Sequence, residues 1–175
     1  MIGTRTIESC PPAEERYLPC VARGDAAALA ALYERYRKDV YRYALALTRR
    51  HEPAEDITQD VFLTAATKGG SCRGSERSWL LSIAHNRAVN LLRKEERARR
   101  RDEVPEESVP PASQMELFDS LKPLTDRQRA VVLLRIGYGL SHKETAAALK
   151  ISHAAVRKQY ERALAVLRET VPDAL

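Results

Sequence analysis

The chain of 175 residues is 44% hydrophobic and 30% charged, with a formal net charge of +5, which leaves room for one ordinary domain or two small ones. Its three cysteines, Cys10, Cys20 and Cys72, and four histidines, His51, His85, His142 and His153, show neither C-x-x-C nor Cys/His ligand spacing, which argues against a disulfide framework or a local zinc module. No stretch approaches the roughly 20 apolar residues of a membrane span, and the N-terminus lacks the apolar segment of a signal peptide; the expectation is a cytoplasmic protein with no membrane insertion, no metal and no cofactor.

The charge is segregated. Residues 93–101 hold six basic and two acidic side chains, residues 102–119 six acidic and no basic ones, and residues 122–170 ten basic against four acidic. This pattern suggests two polyanion-facing domains separated by an acidic connector.

Residues 1–24 contain Pro11, Pro12, Pro19 and Gly24 without clear periodicity and are expected to be a loose lead-in. From Asp25, Leu29, Leu32, Tyr33, Tyr36, Val40, Tyr43, Ala44 and Leu47 recur at three- and four-residue steps, the stripe of an amphipathic helix. The tyrosines follow the phase of the leucines, so core-edge packing is favoured over a stacking platform. Pro53 is expected at the first position of the next helix, with Glu55 and Asp56 in its first turn. That helix buries Ile57, Val61, Ala65 and Phe62 and shows Asp56, Gln59 and Asp60 on another face. The loop KGGSCRGSERS, 68–78, carries Lys68, Arg73 and Arg77. A long helix follows, with Trp79, Leu80, Ile83, Ala84, Leu91 and Leu92 on one side and Ser82, Asn86, Asn90, Arg93 and Lys94 on the other. The second set suits bases and phosphates, and suits plain solvent equally.

Residues 102–120, DEVPEESVPPASQMELFDS, hold three prolines and read as a linker. Thr125 and Gln128 form a capping box opening DRQRAVVLLRI, which Gly137 and Gly139 stop. Ser141 and Glu144 form a second box. Residues 141–168 then read as two helices joined by a tight turn, with Ala146, Leu149, Ile151 and Val156 at the crossing. Ser152 caps the second helix, which carries Arg157, Lys158 and Arg162. This is the layout of a helix-turn-helix, whose second helix can enter a major groove; an ordinary helical hairpin with a solvated basic face is the alternative. Strand alternation is absent, so the fold class is all-α.

Residues 54–63, AEDITQDVFL, followed by 78–94, SWLLSIAHNRAVNLLRK, resemble the second conserved region of bacterial sigma factors, and residues 121–168 resemble the fourth. The short chain, with no larger domain between the two, is similar to the extracytoplasmic-function group of the sigma-70 family. The resemblance implies two small helical domains, 25–97 and 120–172, around a flexible acidic linker at 98–119, and a non-enzymatic factor that brings core RNA polymerase to promoter DNA. It assigns polymerase docking to Asp56, Gln59 and Asp60 with Phe62 supporting the surface. Carboxylates and an amide beside an apolar edge would suit a basic helical partner. It assigns −10 recognition and melting to the 68–78 loop, which would hold an extruded base, and to Arg73, Arg77, Asn86, Arg87, Asn90 and Arg93. It assigns the −35 element to Ser152, His153, Ala154, Arg157, Lys158 and Arg162. An anti-sigma factor is an expected further partner.

Three departures stand out. Lys150 occupies a turn position where the family has glycine, which predicts a strained left-handed residue or another turn. Thr145 replaces a common aliphatic, weakening the core or supplying a hydroxyl bond. TAATK after Phe62 lacks the usual aromatic. Two other functions compete with this one. A stand-alone helix-turn-helix regulator binding an operator explains 121–168 but gives 54–94 no purpose. An enzyme would need paired acids, a nucleophile–base set or metal ligands, and Asp56 and Asp60, although one turn apart, have no third partner at matching spacing.

Overall fold

The computed structural model describes residues 16–99 and 121–170. Most of the expected linker, the start of the lead-in and the last five residues lie outside the described residues. All regular structure among the described residues is helical.

Helix α1, Leu18–Val21, is a single turn. Leu18, Cys20 and Val21 are buried, so the expectation of a loose lead-in through residue 24 is corrected. Its proline and glycine mark a tight turn, and the apolar side chains between them fill the base of the first domain. Helix α2, Ala26–Thr48, opens on Asp25, whose side chain accepts from the Ala28 N–H at 3.0 Å. The predicted stripe faces inward: Leu32, Val40, Tyr43 and Ala44 are almost fully buried. Arg49 ends the helix in the left-handed region at φ 58°.

Helix α3, His51–Lys68, begins two residues before the expected start, with Arg50 as its N-cap. Pro53 therefore stands at the third helical position, still among the first four residues whose N–H groups have no partner within the helix. The chain continues through a 3-10 turn, Gly69–Ser71, into α4, Glu76–Arg99, so irregular backbone is confined to residues 72–75. Helix α4 also runs two residues into the expected linker. It packs against both α2 and α3 through Leu80, Leu81, Ala84 and Ala88, all at 0% exposure. Arg50 and Glu95 pair across the end of the bundle.

In the second domain Thr125 and Gln128 form the predicted capping box of α5, Asp126–Val132. A π-helical turn, Leu133–Gly137, follows, and Gly139 takes φ +67°. The buried Arg129 fastens the entrance to this helix. Its guanidinium donates to the Leu121 and Leu124 carbonyls and pairs with Asp126 at 2.9 Å. Helix α6, His142–Leu149, carries the second capping box, with Ser141 N–H donating to Glu144 at 2.9 Å and Glu144 N–H to Ser141 Oγ at 3.2 Å. Lys150 turns the chain at φ 53°, ψ 44°, and α7 spans His153–Thr170. Thr145 is fully buried, and its hydroxyl finds no partner among the described residues. Of the two outcomes expected for it, the hydroxyl bond is not made. At the crossing, Ala148 and Val156 are buried, whereas Leu149 and Ile151 are only partly covered because they turn towards the first domain.

The two domains touch. Helix α6 lies against α4, and Tyr138 reaches into the first domain. Its hydroxyl donates to the Asp39 carbonyl at 3.0 Å, and its ring meets Tyr43 edge-on at 5.8 Å. Arg77 completes the junction, gripping the Asp39 carboxylate at 2.6 and 2.9 Å and donating to the Tyr138 carbonyl at 3.4 Å.

Candidate nucleic-acid interface

The helical period brings the six predicted −35 residues to one open face. Ser152, His153 and Ala154 at the start of α7, and Arg157, Lys158 and Arg162 further along, are all exposed. Ser152 Oγ accepts from the Ala155 N–H at 3.1 Å, which fixes the helix start from which the first three project. Val156 and Ala163 are fully buried on the opposite side, and Tyr160 and Leu164 are half-buried, as the spacing requires. Arg157 and Lys158 sit a few residues inside the N-terminal end, where adjacent cations can divide between a base edge and a phosphate.

The predicted −10 set is more dispersed. Asn90 and Arg93 are exposed on α4, while Asn86 is half-buried and donates to the Ser82 carbonyl at 2.6 Å. These three line a groove of about 950 Å³ between the domains, whose other wall includes Asp126, Arg127, Lys150 and Ile151. Arg87 lies off this line and pairs with Asp60 at 3.3 Å, each side chain about half exposed. Arg77 is held at the junction with Asp39 and Tyr138. Arg73 stands exposed on the 72–75 loop.

His85, one of the four histidines without ligand spacing, lines this groove. Tyr43 and His85 share a hydrogen bond at 3.1 Å. Burial, then the positive charges of Arg93 and Arg127, lower the imidazole pKa to about 4. A neutral ring results, with Nδ1 free to accept from the tyrosine hydroxyl. Because Arg127 belongs to the second domain, this electrostatic environment exists only while the domains are together. The sequence signal was weak: one histidine on the boundary between an apolar and a polar face.

A second groove, about 520 Å³, runs between α2 and α3 and is lined by Leu29, Tyr33, Gln59, Phe62 and Leu63, among others. Asp56, Gln59, Leu63 and Ala66 follow a helical row of exposed positions. Phe62 lies beneath, 6% exposed, and meets Tyr33 edge-on at 4.9 Å. Leu63 and Tyr33 are 66% and 40% exposed. Sequence reading missed Leu63 and gave Tyr33 only to core-edge packing. The recoverable signal was a leucine falling on the polar row of α3. Asp60 turns from this row towards α4, where Arg87 meets it.

Sequence and fold comparisons agree on the relationship. The family model for Sigma-70 region 2 matches residues 32–98, and that for Sigma-70, region 4 matches residues 120–169. The chain is 32% identical over 156 residues to the ECF RNA polymerase sigma factor SigX of Bacillus subtilis, covering 79% of this chain and 80% of the relative. It is 30% identical over 164 residues to the ECF RNA polymerase sigma factor SigK of Mycobacterium bovis, covering 85% and 88%. The fold is similar to that of the sigma factor RpoE from Bartonella quintana in complex with the anti-sigma factor NepR, with TM-score 0.72, 24% identity, and 82% and 96% of the two chains covered. It is likewise similar to CnrH in complex with the cytosolic domain of CnrY, with TM-score 0.70, 24% identity, and 91% and 97% covered.

Proposed function

The chain belongs to the extracytoplasmic-function group of the sigma-70 family, polymerase-binding initiation factors that are not themselves enzymes, and on that premise we propose how its surfaces divide the work. The groove between α2 and α3 docks core polymerase. Leu63, Tyr33 and Phe62 supply the apolar contact, while Asp56 and Gln59 give polar rim contacts to a basic helix. The exposed face of α7 reads the −35 element through Arg157 and Lys158, with Ser152, His153 and Ala154 at the entering end and Arg162 on the backbone. Residues 70–75 and the outer face of α4 capture and read the −10 element. Asn86 and Asn90 have the donor–acceptor pattern for adenine edges, and Arg73, Arg87 and Arg93 the charge for phosphates. The observation that carries this reading is the separation of an acidic, apolar-edged face on α3 from an exposed cationic face on α7.

Three of the residues proposed for the −10 element, Asn86, Asn90 and Arg93, face the second domain across the groove between the domains. Helices α4 and α6 are in direct contact here, so the closed arrangement is a state that precedes promoter engagement. Polymerase docking and DNA binding would proceed with the Tyr138 junction released. An anti-sigma factor spanning both domains would act in the opposite sense, holding the DNA-reading surfaces covered. The Bartonella structure, a sigma factor held by an anti-sigma factor, supports that reading by its similar fold. Among the described residues no helix is long and apolar enough to cross a membrane, and we place the protein's work in the cytoplasm with polymerase and DNA.

The test is reciprocal. Arg157→Ala with Lys158→Ala should lower −35-dependent initiation about 10- to 100-fold, the loss expected for base-edge contacts, with core affinity preserved. Asp56→Ala with Gln59→Ala should weaken core binding and leave −35 preference intact. Parallel loss of both functions in either variant contradicts the division.

A further inference from the structure

The loop assigned to base capture makes short bonds of its own, Ser71 Oγ to the Lys68 carbonyl at 2.8 Å and Cys72 N–H to the Gly69 carbonyl at 3.1 Å, and the residues before α2 tie down both its ends. The buried Glu76 carboxylate accepts from the Leu18 N–H at 2.6 Å, tying the first residue of α4 to the first residue of α1. Arg16 reaches the other end of the loop, donating to the Cys72 carbonyl at 3.4 Å and to its Sγ at 3.3 Å. The intervening turn is shaped against the same segment. A Cβ on Gly69 would stand 3.0 Å from Leu18 Cδ2 and 3.4 Å from its carbonyl oxygen, and one on Gly70 would stand 3.3 Å from Ala22 Cβ. Gly74 takes φ +122°, a conformation that favours glycine.

The two edges of the loop therefore differ. Its inner edge, Gly69, Cys72 and Glu76, is buried against Arg16–Ala22, whereas its outer edge, Gly70, Ser71, Arg73, Gly74 and Ser75, is exposed. A surface that grips an unstacked base must be in place before the base arrives, because ordering it on contact would consume the binding free energy. Burial raises the Glu76 carboxyl's affinity for a proton, and the Leu18 and Tyr17 N–H groups with Arg16 oppose that rise. A carboxylate kept in this setting is tied firmly to the backbone it holds.

From this geometry we propose that Arg16 and Glu76 are positioning residues for −10 recognition: acting through α1, they set the conformation in which residues 70–75 receive the captured base. The inference rests on the reading of residues 70–75 as the capture element. It makes residues 16–22, expected to be a loose lead-in, part of the promoter-reading apparatus.

The experiment uses the full chain with core polymerase, a promoter library randomised across the −10 element, and duplexes carrying 2-aminopurine at successive −10 positions. Glu76→Ala should reduce open-complex formation about tenfold, the effect of losing a buried charge-assisted hydrogen bond, and Arg16→Ala, whose bonds to Cys72 are only partly buried, should reduce it by less. Base preference should flatten at the captured position alone, with loss of the 2-aminopurine signal there. Core affinity and −35 preference should be unchanged. Glu76→Gln keeps an acceptor oxygen for Leu18 and should restore the preference at that position. Uniform loss across all positions, or an unaltered preference in the alanine variants, overturns the proposal. The underlying reading is checked separately with Ser71→Ala plus Arg73→Ala on the outer edge. If that variant changes no −10 preference, the loop is not the capture element, and the failure belongs to that assignment.

Discussion

Helices α7 and α4, the two proposed to read DNA, present their faces in opposite ways. All six candidate residues of α7 are exposed, and the core side of the helix is sealed by Val156 and Ala163. The corresponding face of α4 is divided among a groove against the second domain, an ion pair between Arg87 and Asp60, and a junction that holds Arg77. A major-groove reader needs only a rigid helix with an open cationic face. A strand-capturing surface must also stay in reserve until DNA is ready to open, and the surface proposed for that role is partly covered. The same residue types in the same family thus carry two degrees of readiness, set by what packs against them.

The largest effect expected lies away from both helices. Leu63→Asp puts a charge in the docking groove at a position already 66% exposed. It should leave the fold intact while weakening core binding about 100-fold, as expected for a buried interface anchor. Titration against labelled core polymerase, with circular dichroism to confirm folding, checks it. Should affinity stay the same, the groove between α2 and α3 is not the docking site.

The contrast between open and covered faces can be broken at Tyr138. Tyr138→Ala removes the hydrogen bond to Asp39 and the edge contact with Tyr43. Energy transfer between dyes on the two domains should fall, and binding of −10 single-stranded DNA without polymerase should tighten about fivefold, the equivalent of one lost hydrogen bond. No change in either would mean that the junction does not hold the closed state.

The sequence made much of this legible, for identifiable reasons. Capping boxes at Thr125/Gln128 and Ser141/Glu144 were readable because they depend on side chains three residues apart. The α7 face followed from helical period alone. What could not be read were contacts between distant segments: Glu76 with Leu18, Tyr138 with Asp39, and Asp60 with Arg87. The last pair joins a residue expected at the polymerase surface to one expected on DNA. Helical phase could not show that α3 and α4 bring them together. The start of α3 was displaced because proline was placed at the first helical position, although the third also lacks an intrahelical acceptor for its N–H.

Two positions in the helix-turn-helix depart from the family pattern, and both should yield stability. Thr145→Val replaces an unpartnered buried hydroxyl with a methyl group and should stabilise the protein by about 1–2 kcal/mol. Lys150→Gly relieves the left-handed backbone at φ 53° and should add about 1 kcal/mol. Thermal or urea denaturation measures both. A destabilised Thr145→Val would show that the hydroxyl is satisfied in solution.

The last effect is confined to acid. His85 has a folded pKa of about 4, below its ordinary value of 6.5. The unfolded chain therefore takes up this proton first as the pH falls. Its contribution to stability is fully present above about pH 6.5 and is lost as the pH drops towards 4. Comparing wild type with His85→Gln isolates this slope from other titrating groups; identical pH profiles would place the imidazole in solvent.

The most direct measurement is mapping of transcript start sites in initiation reconstituted from the full chain, core polymerase and a promoter library. Starts should fall at a fixed distance downstream of paired −35 and −10 elements. Arg157→Ala with Lys158→Ala should alter selection only at the upstream element. No promoter-specific transcripts, together with tight binding to a duplex operator in the absence of polymerase, would contradict it.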